Sequence, residues 1–475
     1  MKTAVARLVH PGFWFGKTPW QEAVQLAQRG VGGFCLYGGS RQEVAAFTAA
    51  IRKESPLPYL LISADYEDGL GRWLPDEPLL PSNMALGAGA DPSLAFEKGF
   101  LTACQARRLG VDWVFAPVVD LADNPLNPIV NTRSFGAEPQ PLITLAKAFL
   151  DGLKKGGVLN SLKHFPGHGD TTTDSHLALP VLSKTKTQLL SRELIPFQTL
   201  LPLADSVMLG HLLLPQIDPQ HPASLSKILI DGLLRRELHY GGCILTDALL
   251  MKAIGDEKQA AWQALQAGAD LLLIPQDPMA LISFLESKSI PAEILSRALS
   301  HQETLCDRMA HAPRLPAQDP SAASRLNRCT AQKALVALGN VGPLKPGQTV
   351  HYMEIGKDGE ISAQPLLDVL RRHQIKVLPY RGEETDYLLV LCLRRYQAFR
   401  GKIALESADT LRLQEALQHA KTSCGVLLGS PWALPAQIKM QSKLFTFSPA
   451  PEFQETAAEV LLGKRKATGK APVTL

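Results

Sequence analysis

The chain has 475 residues, 45% of them hydrophobic and 20% charged, with a formal net charge of +4 at pH 7. That is ordinary for a soluble globular protein, and the length allows two to three domains with large cores. So small a charge is not the footprint of a nucleic-acid-binding protein, and a neutral or weakly polar substrate fits better than a polyanion.

The opening residues, Met1-Lys2-Thr3-Ala4-Val5-Ala6-Arg7, lack a secretory apolar core with a cleavage site. No apolar run reaches the roughly 18 residues of a spanning helix. A cytoplasmic protein is expected, with no membrane partner. The seven cysteines, Cys35, Cys104, Cys243, Cys306, Cys329, Cys392 and Cys424, are odd in number and widely spaced, without a Cys-x-x-Cys pair. They read as buried thiols in a reducing compartment rather than as a zinc or redox motif.

Short apolar runs then recur along the first 300 residues. In order they are Ala6–Val9, Val31–Tyr37, Tyr59–Ala64, Trp113–Val119, Val158–Leu162, Ser206–Leu209, Cys243–Thr246 and Asp270–Ile274. Each is partly β-branched or aromatic, and most are bounded by Gly, Pro, Asp or His, which predicts eight strands. Amphipathic stretches lie between them. Leu142, Ile143, Ala146, Phe149, Leu150 and Leu153 share one helical face, and Gly156-Gly157 ends that helix. Eight strand–helix alternations predict a (β/α)₈ TIM barrel over residues 1–309 rather than an open doubly wound sheet. Asp65, Asp120, His164, His211 and Asp247 each fall at the C-terminal end of a predicted strand, the face on which barrels carry active sites. Residues 310–324 are Pro-rich and read as a linker. Residues 325–475 form a second, smaller α/β domain, with strands predicted at Val350–Ile355, Tyr387–Leu393 and Gly425–Gly429.

The chemistry concentrates after the fifth predicted strand. From Lys163 to Lys186 runs a segment of over twenty residues holding His164, His168, Asp174 and His176. Connections of that length in compact domains are usually functional. Gly167 and Gly169 read as hinges. A His-rich surface loop is the bland alternative. A metal site is disfavoured, because Pro166 and Gly167 break the helix that the four-residue spacing of His164 and His168 would need. Asp174 and His176 lie two apart, so an extended chain places both on one side. The carboxylate could then fix one imidazole tautomer, a pairing suited to acid–base work near neutrality. Asp247 closes the apolar run Ile244-Leu245-Thr246, and must be solvated, paired or acting as a helix cap.

Lys163-His164-Phe165-Pro166-Gly167-His168-Gly169, followed by Asp174-Ser175-His176, resembles glycoside hydrolase family 3 in its β-N-acetylglucosaminidase branch. Ala116-Pro117-Val118-Val119-Asp120, Arg133-Ser134-Phe135-Gly136, Val207-Met208-Leu209-Gly210-His211, Thr246-Asp247 and Ala267-Gly268-Ala269-Asp270 agree with family motifs in the same order. The resemblance covers about residues 1–300. Leu428-Gly429-Ser430-Pro431-Trp432 and the closing Thr468 to Leu475 are similar to the second domain of longer members, which implies an ordered tail. The resemblance implies that Asp247 is the nucleophile of a retaining reaction and that His176, held by Asp174, is the acid/base. Lys163, His164, Arg133, Asp65 and Arg72 would bind the sugar, together with Asp120, His211 and Met208 on the same face. No cofactor or metal is implied, and a monomer or weak homodimer is expected.

Two departures stand out. The family's Asp-x-Glu-Gly-Gly-x-Val-x-Arg is here Asp65-Tyr66-Glu67-Asp68-Gly69-Leu70-Gly71-Arg72, so the Arg comes one residue early. The residue after the nucleophile, often Asp, is Ala248. The functional expectation is hydrolysis of terminal β-linked GlcNAc, from muropeptides during cell-wall recycling. The alternatives are a β-N-acetylglucosaminide phosphorylase, a β-glucosidase of the same family, and an inactive sugar-binding scaffold. The scaffold would be expected to have lost Asp174, His176 or Asp247, all of which are present.

Overall fold

The computed structural model describes residues 2–312, 315, 319–357, 361–397 and 400–475, without the side chains of Lys2 and Thr3. In the first 310 residues short strands alternate with helices, and the strands pair in parallel apart from Leu213–Leu214, which runs antiparallel to Asp218–Pro222. Gly12–Trp14 pairs with Gly33–Tyr37, which pairs with Leu61–Ala64 and through it with Trp113–Val114. Trp113 bridges to Leu159 and Val118 to Lys163. Ser161–Phe165 pairs with Ser206–Leu209, and that strand with Cys243–Thr246. Leu245 bridges to Leu271, and Leu272–Leu273 pairs with Val9–His10. The run of parallel neighbours thus returns to the N-terminal segment from which it started.

Local sequence explains the elements. Parallel strands covered on both faces carry continuous apolar runs, and Leu61–Ala64 and Cys243–Thr246 are buried at every position. Ser40 and Glu43 form a capping box that starts helix Arg41–Glu54. Helix Pro139–Gly156 buries Leu142, Ile143, Phe149, Leu150 and Leu153, and ends on Gly157 at φ 76°. Burial of each such side chain contributes roughly 1.5–3 kcal/mol, which docks the helix on its apolar face.

Two predicted strands move. Ala6 ends a helix, Lys2–Ala6, and the first strand begins at Val9. The fifth strand runs Ser161–Phe165 rather than Val158–Leu162, because its register is set by Ser206 and Val207 opposite Ser161 and Leu162. Lys163 and His164 therefore lie inside the strand and not beyond its end.

The second half carries a six-stranded sheet in the order Val336–Leu338, Ser442–Phe445, Ala420–Leu427, Thr385–Cys392, Thr349–Ile355, Lys376–Pro379. All neighbours are parallel except the first pair. Val336–Leu338, Lys376–Pro379 and Ser442–Phe445 were not expected. Two are edge strands, and the third begins Ser-Lys, so none shows a long apolar run. Helix Ala292–Ala310 ends where the linker was expected, and helix Ala322–Ala334 begins inside it. Residues 313, 314 and 316–318 of that stretch lie outside the described residues. On the second helix Leu326 joins the core of the first half, while Ala331 and Ala334 join that of the second. Met84, Val118 and Val130 also pack into the second core, so apolar contact welds the halves. The C-terminal tail is seated: the Pro472 carbonyl accepts from Ala137 N at 2.9 Å, and Thr474 O accepts from Trp432 Nε1 at 2.9 Å.

The seven cysteines, all among the described residues, form no disulfide, and five are buried. No helix among the described residues is long and apolar enough to cross a membrane.

Candidate active site

A cleft opens at the C-terminal ends of the parallel strands, lined by apolar and aromatic side chains with a few convergent polar groups, as small-molecule sites are. Asp247, directly after strand Cys243–Thr246, lines it. Its Oδ1 accepts from Ala248 N at 2.8 Å. Burial raises the carboxyl pKa, but the imidazoles of His164 and His211 and the Ala248 N–H outweigh it and hold the group at about 2. Asp247 is therefore a carboxylate at neutral pH, as a nucleophile must be.

His176 and Ser175 line the same cleft. Asp174 Oδ1 accepts from both His176 Nδ1, at 2.8 Å, and His176 N, at 2.9 Å. A carboxylate can only accept, so Nδ1 carries the proton and any acid–base exchange falls to the other ring nitrogen, Nε2. Burial raises the Asp174 pKa, and the two bonds from His176 pull it below the ordinary value. Asp174 Oδ2 also accepts from Gly401 N at 3.2 Å, across 227 residues.

Beneath one wall lies a buried charge network. Arg133 grips Glu67 with two bonds, Nε to Oε2 at 2.7 Å and Nη2 to Oε1 at 2.6 Å. Lys163, 1% exposed, pairs with Asp65 at 2.8 Å and also with Glu67. Asp65 accepts in turn from Tyr37 OH at 2.9 Å. Burial raises the Glu67 pKa, yet Arg133 and Lys163 bring it well below the carboxylate range. Burial lowers the Lys163 pKa, and Asp65 and Glu67 more than restore it. Asp65 and Arg133 reach the cleft, so the network presents fixed donors and acceptors there. Next to it stands an aromatic wall: Trp14 stacks on Tyr37 at 5.1 Å, and Trp73 meets Tyr37 edge-on at 4.9 Å. Such faces suit the apolar side of a pyranose.

Four of the expected ligands, Lys163, Asp120, His211 and Arg72, do not line the cleft. Asp120 is fully buried and accepts from His164 Nδ1 at 2.7 Å, from His164 N and from His168 N at 2.8 Å. It orients His164, which lines the cleft, and makes no wall itself. His211 is likewise fully buried. Its Nε2–H donates to Ala248 O at 3.1 Å and its Nδ1 accepts from Ser224 at 2.7 Å, which holds the backbone next to Asp247. Arg72 is not among the cleft-lining residues. It donates to the Tyr396 carbonyl at 3.1 Å and lies over the Tyr396 ring at 5.3 Å. Met208 does line the cleft.

The glycines also differ from the hinge reading. A Cβ on Gly169 would stand 1.6 Å from the Leu121 carbonyl oxygen, so Gly169 permits a close approach. Gly167 has φ 120°, a conformation that favours glycine. Asn127 ties this stretch down by donating to His168 O and Thr171 O. Sequence reading missed Glu67, Tyr37, Asn127, Tyr396 and Gly401. Glu67 sits two residues after Asp65 in the Asp-x-Glu segment, so its residue type and spacing are a legible signal. Gly401 acts through its backbone and leaves no side-chain signal. Among the described residues no group of three or more His, Cys, Asp or Glu has the arrangement to hold a metal.

The Glycosyl hydrolase family 3 N terminal domain matches residues 3–305. A Beta-hexosaminidase from Idiomarina loihiensis is 31% identical over 324 residues, 66% of this chain and 89% of that protein. One from Haemophilus influenzae is 35% identical over 286 residues, 57% and 80% of the two chains. The structure of a glycoside hydrolase family 3 beta-N-acetylglucosaminidase from Paenibacillus sp. str. FPU-7 superposes with a TM-score of 0.84 at 26% identity, covering 100% of this chain and 99% of that one. With nearly two thirds of its length matched to the family's N-terminal domain, the chain belongs to glycosyl hydrolase family 3 and is a glycoside hydrolase.

Proposed function

We propose that the enzyme is a retaining β-N-acetylglucosaminidase in which Asp247 is the nucleophile and His176, oriented by Asp174, is the acid/base. The observation that carries this reading is that Asp247 and His176 line one cleft, with His176 bonded to Asp174 behind it. In the first step an Asp247 oxygen bonds to the anomeric carbon as the glycosidic C–O bond breaks. The proton on His176 Nε2 goes to the departing oxygen. In the second step neutral Nε2 takes a proton from water, the water oxygen bonds to the anomeric carbon, and the Asp247 ester is released. Two displacements retain the configuration. The relatives named Beta-hexosaminidase and the similarity to a beta-N-acetylglucosaminidase support an N-acetylated sugar.

The same proposal takes residues 1–309 as a closed (β/α)₈ barrel, supported by the parallel neighbours that return to Val9–His10. It takes residues 325–475 as a second domain. Site residues at the C-terminal ends of the strands agree with the working face of such a barrel. For the natural substrate it extends to GlcNAc-bearing muropeptides processed in the cytoplasm.

The test compares an aryl β-N-acetylglucosaminide with an aryl β-glucoside, with and without phosphate. Turnover of the first with free GlcNAc as product is expected. Preference for the glucoside would overturn the substrate, and sugar 1-phosphate as product would overturn hydrolysis. An imidazole acid/base would not repel an incoming phosphate as a carboxylate would, which is why phosphate is included. Release of GlcNAc from a muropeptide of defined structure tests the natural substrate.

A further inference from the structure

Asp174 is held from two sides. Oδ1 faces its own loop and takes both bonds from His176, while Oδ2 takes the N–H of Gly401, from the second half of the chain. The segment around Asp174 is turns and bends, without helix or strand, so its position depends on such contacts. Gly401 has φ +77°, and a Cβ there would lie 3.1 Å from Leu177 Cδ1, so the two stretches are in close contact beside the pair. Tyr396, also from the second half, forms part of the cleft wall. The guanidinium groups of Arg72, at 5.3 Å, and Arg133, at 5.0 Å, both lie over its ring, and its carbonyl accepts from Arg72.

A carboxylate bonded at both oxygens has a fixed plane. An imidazole bonded to it through Nδ1 then has a fixed direction for Nε2. With Oδ2 released, the carboxylate can turn about its Cβ–Cγ bond, and His176, 19% exposed at the side chain, turns with it. Proton transfer tolerates such misplacement poorly. We infer that the second domain aims the acid/base: Gly401 is a positioning residue acting on His176 through Asp174, and Arg72, with Arg133, seats Tyr396 beside it rather than binding sugar. The inference rests on the assignment of Asp174–His176 as the acid/base.

The signature of a misaimed acid is selectivity for the leaving group. Departure of a sugar alcohol needs a proton, whereas departure of dinitrophenolate does not. Gly401→Pro removes the N–H and, because its ring cannot hold the positive φ, withdraws this backbone contact altogether. It should lower kcat/KM for the β-1,4-linked GlcNAc disaccharide by at least about tenfold, a part of the ~10²–10⁴ that general acid–base groups contribute. The dinitrophenyl β-N-acetylglucosaminide should fall by less than about threefold. Gly401→Asn keeps the N–H and tolerates positive φ, so it should restore most of the difference. Arg72→Ala, which leaves the Gly401 backbone intact, should show the same selectivity more weakly, whereas a sugar-binding Arg72 would lose both substrates equally. His176→Ala is run beside them. If His176→Ala is selective but Gly401→Pro and Arg72→Ala slow both substrates equally or neither, the inference is overturned and the acid/base assignment stands. If His176→Ala is not selective, that assignment fails and the inference with it.

Discussion

Replacing Glu67 by Gln tests the charge network under the cleft. Glu67 is 8% exposed and accepts two bonds from Arg133, itself 8% exposed, as well as one from Lys163, 1% exposed. Glutamine keeps the shape but removes the charge. It can present one carbonyl oxygen, and its amide N–H groups meet the donors of Arg133. Two buried cations would then share Asp65 alone. Breaking a buried ion pair by removing one partner costs about 3–5 kcal/mol. Because Asp65 stays on Lys163 and its side chain is a quarter exposed to water, the lower end, about 3 kcal/mol, is expected. Urea unfolding followed by tryptophan fluorescence reads this as a lowered midpoint at unchanged slope. Misplacing even one charged donor to a sugar hydroxyl removes roughly 1.5–3 kcal/mol, which is about 10- to 150-fold in kcat/KM on an aryl β-N-acetylglucosaminide. A midpoint shift worth less than about 1 kcal/mol, with kcat/KM within twofold of the parent, would refute the claim that Glu67 holds these cations in place.

Asp247→Ala is expected to abolish turnover while leaving the fold intact, and a slow fluorinated glycoside should label the parent enzyme on the peptide containing Asp247; normal turnover of the variant would remove the nucleophile assignment. Asp174→Asn keeps an acceptor for His176 but sets an amide N–H or a lost charge against Gly401 or His176, so kcat/KM on the disaccharide should fall by about 10- to 150-fold, from roughly 1.5–3 kcal/mol per charged hydrogen bond, and fall far less on the dinitrophenyl glycoside. Acid should destabilise the protein. Asp247, with its pKa depressed to about 2 against the ordinary 3.8, contributes stability that is complete above the ordinary value and lost as pH falls toward 2. His10 and His168, held neutral by burial with pKa values of about 3 and about 4, contribute stability present above 6.5 and lost as pH falls through those values. Urea midpoints should therefore decline steadily from pH 7 to pH 3, and a flat profile would contradict the burial of these groups. Gly169→Ala forces a Cβ against the Leu121 carbonyl and should cost about 1–3 kcal/mol, as other overpacking does, read in the same unfolding assay.

Much of the strand order was legible because it is written in local patterns. Ser206–Leu209 and Cys243–Thr246 were predicted at the observed residues. Both are unbroken buried runs, and that pattern comes from burial on two faces. Ser161–Phe165 slid by three residues, since apolar character extends on both sides and only pairing with the neighbouring strand chooses the register. Val336–Leu338 and Lys376–Pro379 were invisible because edge strands need no continuous apolar run.

The site divides in the same way. Taken alone, the sequence determined the cluster of chemistry-bearing residues at Lys163–His176 and the isolated Asp247, because side-chain types and short spacings are local properties. Tertiary structure alone decided which of these face the cleft. Asp120 and His211 turned inward to orient neighbours, because a buried polar group must find a partner, and the partners were His164 and Ala248. It also decided that Arg72 faces Tyr396, and that the far oxygen of Asp174 is held by Gly401. Those contacts join residues more than two hundred positions apart. A backbone N–H, common to every residue but proline, gives no sign in the sequence of which carboxylate it will meet.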